Sequence, residues 1–177
     1  MSGHNKWSKI KRQKGAEDAK KSNVFSKLSR LIIAESKKCN GDINSPSLAT
    51  IIQTAKKENM PKDTIERAVK KGADKTTAAL EPVTYEAYGP GGVGIVIDAL
   101  TDNKNRTVAE VKHILSINGG IELAPPGSAS WAFTRASGTL TANTTVPISE
   151  EDGEKLGKLI DALDDLEDVQ EVYTNAE

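Results

Sequence analysis

The spacing of apolar residues changes once along the chain, from three or four residues to two. In the first part, apolar side chains recur at three- and four-residue intervals, which predicts amphipathic helices. The first helix is predicted from Ala16 to near Cys39, where Asn40-Gly41 is a typical stop signal. Its apolar stripe consists of Val24, Phe25, Leu28, Leu31 and Ile32.

Two shorter helices are predicted next, at the same spacing. Pro46 is predicted to open the second helix, with Ser45 as its cap. The third helix is predicted to begin at a capping box formed by Asp63 and Glu66 and to end at Gly72. Because three amphipathic helices on short loops can bury their stripes only against one another, we expect a small three-helix bundle.

Beyond a predicted linker at residues 76–82, the apolar period becomes two. A helix is predicted from a cap formed by Thr107 and Glu110 to Asn118-Gly119-Gly120, and Ser149 is predicted to cap a last helix. The order β-β-α-β-β-α-β is typical of a mostly antiparallel sheet with both helices on one face. The predicted strands are residues 83–88, 93–100, 128–134, 139–146 and 169–173.

The predicted fold class is therefore α+β, with an N-terminal three-helix bundle followed by a sheet lobe. Residues 1–75 are assigned to a basic arm and the bundle, residues 76–82 to a linker and residues 83–177 to the α/β lobe. The change of period, from helical to strand spacing, is the reason for placing the boundary there.

Charge is segregated between the same two parts of the chain. The whole chain has a net charge of -1, but residues 1–75 carry +10 and residues 76–177 carry −11. An asymmetry of this kind favours a polyanion as the partner of the basic part. The alternative explanations, which involve no binding partner, are a solvated basic tail at the start of the chain and solvated acidic helix faces after Ser149.

The basic arm is the main candidate for a binding element. Lysine and arginine side chains can contact phosphates, and an indole among them can stack on a base or a sugar or else pin the arm to the bundle. The predicted nucleic-acid-binding residues are Lys6, Trp7, Lys9, Lys11, Arg12 and Lys14 in the arm, and Lys20, Lys21, Lys27 and Arg30 in the first helix.

A second candidate anion site lies at the strand-to-helix junction formed by residues 103–107. Backbone N–H groups at a helix start, beside Lys104, Asn105 and Arg106, are suited to bind a phosphate. Ordinary helix capping by Asn105 or Thr107 is the favoured alternative.

Other site patterns are weak. The letters G-x-G-x-x-G occur from Gly89 to Gly94, but a strand is predicted after them where a dinucleotide site needs a helix, so we expect a turn. His4 and His113 lack partners at metal-ligand spacing, and no nucleophile–base set is apparent. We therefore expect no enzyme activity, no metal, no cofactor and no small-molecule substrate.

The expected location is the cytoplasm. Cys39 is the single cysteine, so no internal disulfide is possible, which is typical of a reducing compartment. The chain has no apolar run of membrane-spanning length and no apolar segment behind its basic start, so neither a membrane partner nor a secretory signal is expected.

Several ordered blocks of the sequence closely resemble the YebC family. Five of them are Gly3-His-Asn-Lys-Trp7, Ile10-Lys-Arg-Gln-Lys14, Asn59-Met-Pro-Lys-Asp-Thr-Ile-Glu-Arg-Ala68, Tyr88-Gly-Pro-Gly-Gly92 and Leu100-Thr-Asp-Asn-Lys-Asn-Arg-Thr-Val-Ala-Glu110. Three shorter blocks are Asn118-Gly-Gly120, Gly127-Ser128 and Asp168-Val-Gln-Glu-Val-Tyr173. Together they extend over nearly the whole chain, which makes the resemblance far more specific than any single motif.

The resemblance implies an N-terminal three-helix domain followed by two α/β lobes, one inserted in the other, and no known catalytic residues. Family members include probable transcriptional regulators that bind DNA, a mitochondrial translational activator, and bacterial proteins that act on ribosomes stalled at proline-rich sequences. The present sequence departs from this pattern, because the inserted lobe is predicted to be missing around residues 136–143.

Three functional hypotheses follow. The leading one is a non-enzymatic, nucleic-acid-binding regulator of gene expression, in particular a DNA-binding transcriptional regulator. The first alternative is a ribosome-associated translation factor that contacts ribosomal RNA, including one that relieves proline-rich stalls. The second alternative is a protein-interaction module whose working surface is the acidic C-terminal lobe.

Overall fold

A computed structural model describes residues 17–177, with side chains from Lys21 onward, and confirms the predicted α+β fold. The helices in this part of the chain are α1 (Glu17–Lys38), α2 (Pro46–Lys57), α3 (Lys62–Ala73), α4 (Lys104–Ile117) and α5 (Glu150–Asp164). The strands are β1 (Glu81–Tyr88), β2 (Gly94–Thr101), β3 (Leu123–Ala124), β4 (Phe133–Ala136), β5 (Thr139–Ala142) and β6 (Val169–Thr174).

These elements belong to two units. The helical unit contains the described residues up to Pro82 together with Leu100–Asp102. The sheet unit contains Val83–Ala99 and Asn103–Glu177.

The core of the helical unit lies where the apolar stripes of α1, α2 and α3 meet. Ile32 and Leu48 are fully buried there, and they lie beside Leu28, Ala55, Met60, Ile65 and Ala68. Val24, which belongs to the predicted stripe of α1, is 39% exposed instead. The helical periodicity therefore identified most of the core, but Leu31 of the same stripe is only half-buried and Ile33, outside the stripe, is buried in the core.

The sequence predicted that Gly72 ends the third helix, but Gly72 lies buried within α3, which continues to Ala73. A Cβ atom at this position would lie 2.5 Å from the carbonyl oxygen of Ile33 and 2.6 Å from the Cβ of Ser36. Ser36 is itself buried, and its hydroxyl donates a hydrogen bond of 2.6 Å to the carbonyl of Val69. The glycine therefore allows α1 and α3 to approach closely.

The two predicted helix starts in this unit differ in outcome. Pro46 opens α2 and Ser45 occupies its N-cap, as predicted, although the Ser45 side chain makes no cap hydrogen bond. The predicted box at Asp63 and Glu66 does not form, because Pro61 is the N-cap of α3 and its carbonyl accepts from the N–H of Ile65. Proline suits a helix start because its φ is fixed and it has no N–H to satisfy.

The sheet unit is built on a four-stranded sheet with the order β3-β1-β2-β6. β6 runs antiparallel to β2, and β3 runs antiparallel to β1. β2 is buried along both faces, as expected of a central strand. β3 was not predicted, because a two-residue strand shows no period.

Different elements pack against the two faces of this sheet. On one face Ile95 and Ile97 pack with Val111 and Leu115 of α4 and with the apolar side of α5, which confirms the prediction of two helices on one face. On the other face Val96 and Tyr173 pack against residues of the β4–β5 hairpin and of the turn before it.

The β4–β5 hairpin is a separate two-stranded sheet rather than a continuation of the main one. Both strands are shorter than predicted, because a 3-10 turn at Ser130–Ala132 precedes β4 and the ladder ends at the Phe133–Ala142 pair. Ser137 and Gly138 have φ angles of 51° and 84°, the conformation of a tight two-residue hairpin turn.

Of the two helix caps predicted in the sheet unit, one is wrong and one is confirmed. Asn103 caps α4 by accepting a hydrogen bond from the N–H of Arg106, so the predicted cap at Thr107 and Glu110 was wrong. Ser149 caps α5 as predicted, with its hydroxyl accepting from the N–H of Asp152.

We expect Gly72→Ala to destabilise the helical unit by about 1–3 kcal/mol, because the added methyl group must push α1 and α3 apart. Amide hydrogen exchange of α1 and α3 in the full chain measures this loss. The matched control is Gly157→Ala in α5, where nothing lies within 4 Å of the new Cβ and the higher helix propensity of alanine should stabilise slightly. Equal protection of α1 and α3 in the native and Gly72→Ala chains would contradict the close approach.

Candidate nucleic-acid interface

The predicted arm residues Lys6, Trp7, Lys9, Lys11, Arg12 and Lys14 lie outside the described residues, as does the side chain of Lys20. Lys21 is exposed on α1, whereas Lys27 and Arg30 are half-buried and each makes polar contacts. Lys27 and Arg30 are neighbours on the helix surface, but at roughly 100° per residue Lys21 lies about 120° from Lys27 and about 180° from Arg30 around the helix. The described cations of α1 therefore do not form one stripe.

Further exposed cations lie in the helical unit, and the predicted site did not include them. Four of them lie in the last turns of α2 and α3, and the fifth follows α3. They are Lys56, Lys57, Lys70, Lys71 and Lys75. Cations at helix C-termini also stabilise the helix dipole, so their placement has a structural reason as well. The pairs of adjacent lysines were a sequence signal for this surface.

Several cations of the helical unit have partners within it. Lys38 pairs with Glu35, and Lys62 lies 3.6 Å from Glu66. The ammonium group of Lys37 donates a hydrogen bond of 2.5 Å to the carbonyl of Thr77. Ion pairs at largely exposed sites contribute little free energy, so these pairs add little to the stability of the helical unit.

The predicted anion site at the start of α4 contains a carboxylate of the protein itself. The Arg106 guanidinium lies 2.7 Å from Oδ2 of Asp168, which is only 1% exposed. The Thr107 hydroxyl donates to the same oxygen at 2.6 Å. This contact joins α4 to the residue just before β6, across 62 residues of sequence, and an added anion at Arg106 would compete with Asp168.

Lys104 and Asn105 are exposed in the first turn of α4, beside this ion pair. Asn105 does not cap the helix, because Asn103 does. The three residues Lys104, Asn105 and Arg106 therefore lie together in sequence and on one helical turn. Their role in anion binding stays a prediction.

Glu86 is a buried carboxylate whose role the sequence did not indicate. It lies on β1, 6% exposed, and Oε1 accepts from the N–H of Gly127 at 2.8 Å. Oε2 accepts from the N–H groups of Ala129 at 2.6 Å and Ser130 at 2.9 Å. Burial raises the pKa of Glu86, but these hydrogen bonds outweigh burial and hold its pKa below the ordinary value.

The glycine motif from Gly89 to Gly94 is a turn between strands, as predicted. A single 3-10 turn at Pro90–Gly92 joins β1 to β2, and the φ angles of Gly91 and Gly92 are 73° and 77°. No helix follows the glycines, so they offer no helix N-terminus to a pyrophosphate.

Three other features of residues 17–177 bear on the class of site. In this range no cluster of His, Cys, Asp or Glu side chains is arranged to hold a metal ion. Within the same range no helix is both long and apolar enough to cross a bilayer. The Cys39 thiol lies 3.5 Å from the carbonyl of Asp42, just past the end of α1.

Fold and charge together define a two-unit α+β protein whose helical unit is basic. Family models agree with this description over most of the chain. The TACO1/YebC protein N-terminal domain matches residues 5–75, and the TACO1/YebC second and third domain matches residues 80–139 and 135–176. The chain belongs to the YebC family.

Relatives support the same assignment. A probable transcriptional regulatory protein of Fervidobacterium nodosum is 39% identical over 236 aligned positions, which include 99% of this chain and 93% of the relative. A protein of the same description from Petrotoga mobilis is 53% identical over 137 positions, 76% of this chain and 54% of the relative.

A solved structure agrees with the fold. The crystal structure of a conserved hypothetical protein from Aquifex aeolicus matches with a TM-score of 0.81 and 31% identity, and the match includes 93% of each chain. The relatives' shared description supports a regulatory role in a general sense.

Proposed function

We propose that this protein is a non-enzymatic regulator of gene expression that binds nucleic acid through its basic arm and helical unit. The observation that carries the proposal is the segregation of charge, with +10 in residues 1–75 and −11 in the remainder. A phosphate backbone is attracted by the first part and repelled by the second, so we expect it to bind the basic part. The relatives named probable transcriptional regulatory proteins support DNA as the partner.

The contacts that we propose divide between positioning and stacking. Lys6, Lys9, Lys11, Arg12 and Lys14 of the arm contact phosphates, and Lys20, Lys21, Lys27 and Arg30 extend that surface along α1. Trp7 stacks on a base or a sugar. Phosphate contacts of this kind give affinity and orientation but little sequence specificity.

The alternative partner is ribosomal RNA, and the protein is then a translation factor. Charge segregation supports this alternative as well as DNA, because counterion release acts on either polymer. The relatives' names favour transcription, so DNA is the leading proposal.

Crosslinking in living cells tests the proposal and separates the two partners. We expect ultraviolet crosslinking and sequencing to recover defined upstream DNA, with changed transcript levels in a deletion strain. Recovery of ribosomal RNA instead, with changed ribosome pausing at unchanged transcript levels, would replace the transcriptional proposal by the translational one. Recovery of neither nucleic acid would contradict both.

We also propose that the β4–β5 hairpin replaces the inserted lobe predicted for the family. Two observations support this. The second family model matches in two segments that overlap at residues 135–139, inside the hairpin. The alignment with the Fervidobacterium nodosum relative has 236 positions, more than the 177 residues of this chain. In this proposal the helical unit and the remaining sheet carry the function.

A further inference from the structure

One face of the sheet unit differs from the rest of that unit in charge. Residues 123–149 contain no aspartate or glutamate and a single cation, Arg135, whereas residues 76–177 contain 17 acidic residues in all. This acid-free segment includes the β4–β5 hairpin, which covers the sheet face opposite to the helices α4 and α5. The segment itself therefore adds no negative charge to this face, where the acidic side chains Asp98 and Glu171 come from β2 and β6.

The single charge on this segment is compensated. The Arg135 guanidinium lies 2.8 Å from the Asp98 carboxylate of β2. Exposed hydroxyl side chains make up much of the remaining hairpin surface, and they are Thr134, Ser137, Thr139 and Thr141. The hairpin itself therefore presents no acidic side chain to a polyanion, whereas α5 presents several.

A large exposed aromatic side chain lies on this face. Trp131, in the 3-10 turn before β4, is 65% exposed, although most large apolar side chains of the sheet unit are buried. Tyr88 is 45% exposed, and its hydroxyl donates a hydrogen bond to the carbonyl of Ser128, three residues before Trp131. The sheet unit therefore presents two rings around one loop.

The loop that carries Trp131 is held in place from below. The buried carboxylate of Glu86 accepts hydrogen bonds from Gly127, Ala129 and Ser130, as described above. Ala129 and Ala132, on either side of the tryptophan, are buried against the sheet. An indole on a fixed backbone loses little conformational freedom when a flat partner stacks on it, so this loop is suited to binding.

We propose that Trp131 is a stacking site for an unpaired nucleobase of the nucleic acid that the helical unit binds. The inference rests on the proposed function and adds to it the class of ligand at a second contact. A base stacks on an aromatic ring through its π-face, which is accessible in a single strand and occupied by neighbouring bases in a duplex. A hydroxyl-rich hairpin whose one cation is paired suits a base better than a phosphate, and the phosphates remain with the basic part.

Tryptophan fluorescence of the full chain tests this site, with Trp7→Phe as the background so that Trp131 is the one remaining tryptophan. We expect an unstructured 15-nucleotide poly-uridine or poly-thymidine probe to quench Trp131 emission. Inorganic polyphosphate, which has the charge but no bases, should bind without quenching. Trp131→Ala should weaken oligonucleotide affinity by roughly 5- to 150-fold with an unchanged salt dependence, and Trp131→Phe should restore most of it.

The matched control is Ile117→Ala, which removes a side chain that is 63% exposed at the end of α4 and should leave affinity unchanged. Unchanged affinity and unquenched emission in an otherwise salt-sensitive complex would overturn the stacking site and leave the proposed function intact. The hairpin face would then be a candidate for protein contact instead. Absence of any binding to oligonucleotide, duplex or polyphosphate would overturn both proposals together.

Discussion

Changing Lys9, Lys11, Arg12 and Lys14 to glutamate is expected to lower nucleic-acid affinity on the order of a thousandfold at physiological salt. The substitutions remove four phosphate contacts and replace them by four repelling charges. Exposed charge pairs contribute up to about 1 kcal/mol each, so eight units of altered charge suffice for this loss. Fluorescence anisotropy of a labelled 20-base-pair duplex and of a ribosomal RNA fragment measures it.

The matched control reverses charge in the sheet unit. Lys112, Lys155 and Lys158 are exposed on α4 and α5, and their change to glutamate should alter affinity only slightly. If the arm variant keeps full regulatory activity in cells while the acidic lobe is required, the protein-interaction alternative is correct. Equal losses in the arm and control variants would show that net charge alone matters.

Glu86→Gln is expected to destabilise the sheet unit by roughly 3 kcal/mol at pH 7. The glutamine side chain is uncharged, so all three hydrogen bonds from Gly127, Ala129 and Ser130 lose their charge assistance. Its amide group also places a donor against at least one of these N–H groups. Urea unfolding of the full chain, followed by amide exchange of residues 127–132, measures the loss.

The same carboxylate predicts the sign of a pH dependence. Its hydrogen bonds hold the pKa of Glu86 in the folded state below its ordinary value, although burial acts in the opposite direction. The stabilisation is therefore fully present above the unfolded pKa of about 4.3 and is lost as the pH falls through the folded pKa. We expect the stability difference between the native chain and Glu86→Gln to shrink below pH 4.

Glu122→Gln is the control for this experiment, because Glu122 is an exposed carboxylate of the same unit. It should change stability by less than about 0.5 kcal/mol. A difference between Glu86→Gln and the native chain that stays constant down to pH 2 would contradict the assigned role of the carboxylate.

Local patterns predicted the helices well, because their signals lie within a few residues of one another. The apolar stripe ending at Asn40-Gly41 predicted α1, and the Ser149 cap predicted the start of α5. The glycine turn between β1 and β2 was recognised because a period of two continued after it. The α+β fold class followed from the change in period.

Features that depend on distant residues could not be read from the sequence. Glu86 meets the N–H groups of residues 41 to 44 positions later, and Asp168 meets Thr107 across 61 positions. Glycine commonly ends helices, so the sequence predicts a helix end at Gly72, whereas contact with Ile33 of α1 requires the glycine there. In each case tertiary contact decides the role of the residue.

The candidate site could be predicted only in part, because some of its features are local in sequence and others depend on tertiary contacts. Charge segregation and the exposed position of Lys21 are visible from residue types and helical spacing. The pairing of Arg106 with Asp168 and the exposure of Trp131 depend on the folded sheet unit. The sequence therefore indicates the basic part, whereas the hairpin face is apparent only in the folded sheet unit.

The basic part is proposed to bind a phosphate backbone, and the salt dependence of nucleic-acid affinity tests this binding most directly. Binding of the full chain to a 20-base-pair duplex, or to a ribosomal RNA fragment, is measured from 50 to 300 mM potassium chloride. We predict that the logarithm of affinity falls linearly with the logarithm of salt, with a slope on the duplex of about −4.5 or steeper, which corresponds to about five or more phosphate contacts. A slope between zero and about −1 with both polymers would contradict the claim.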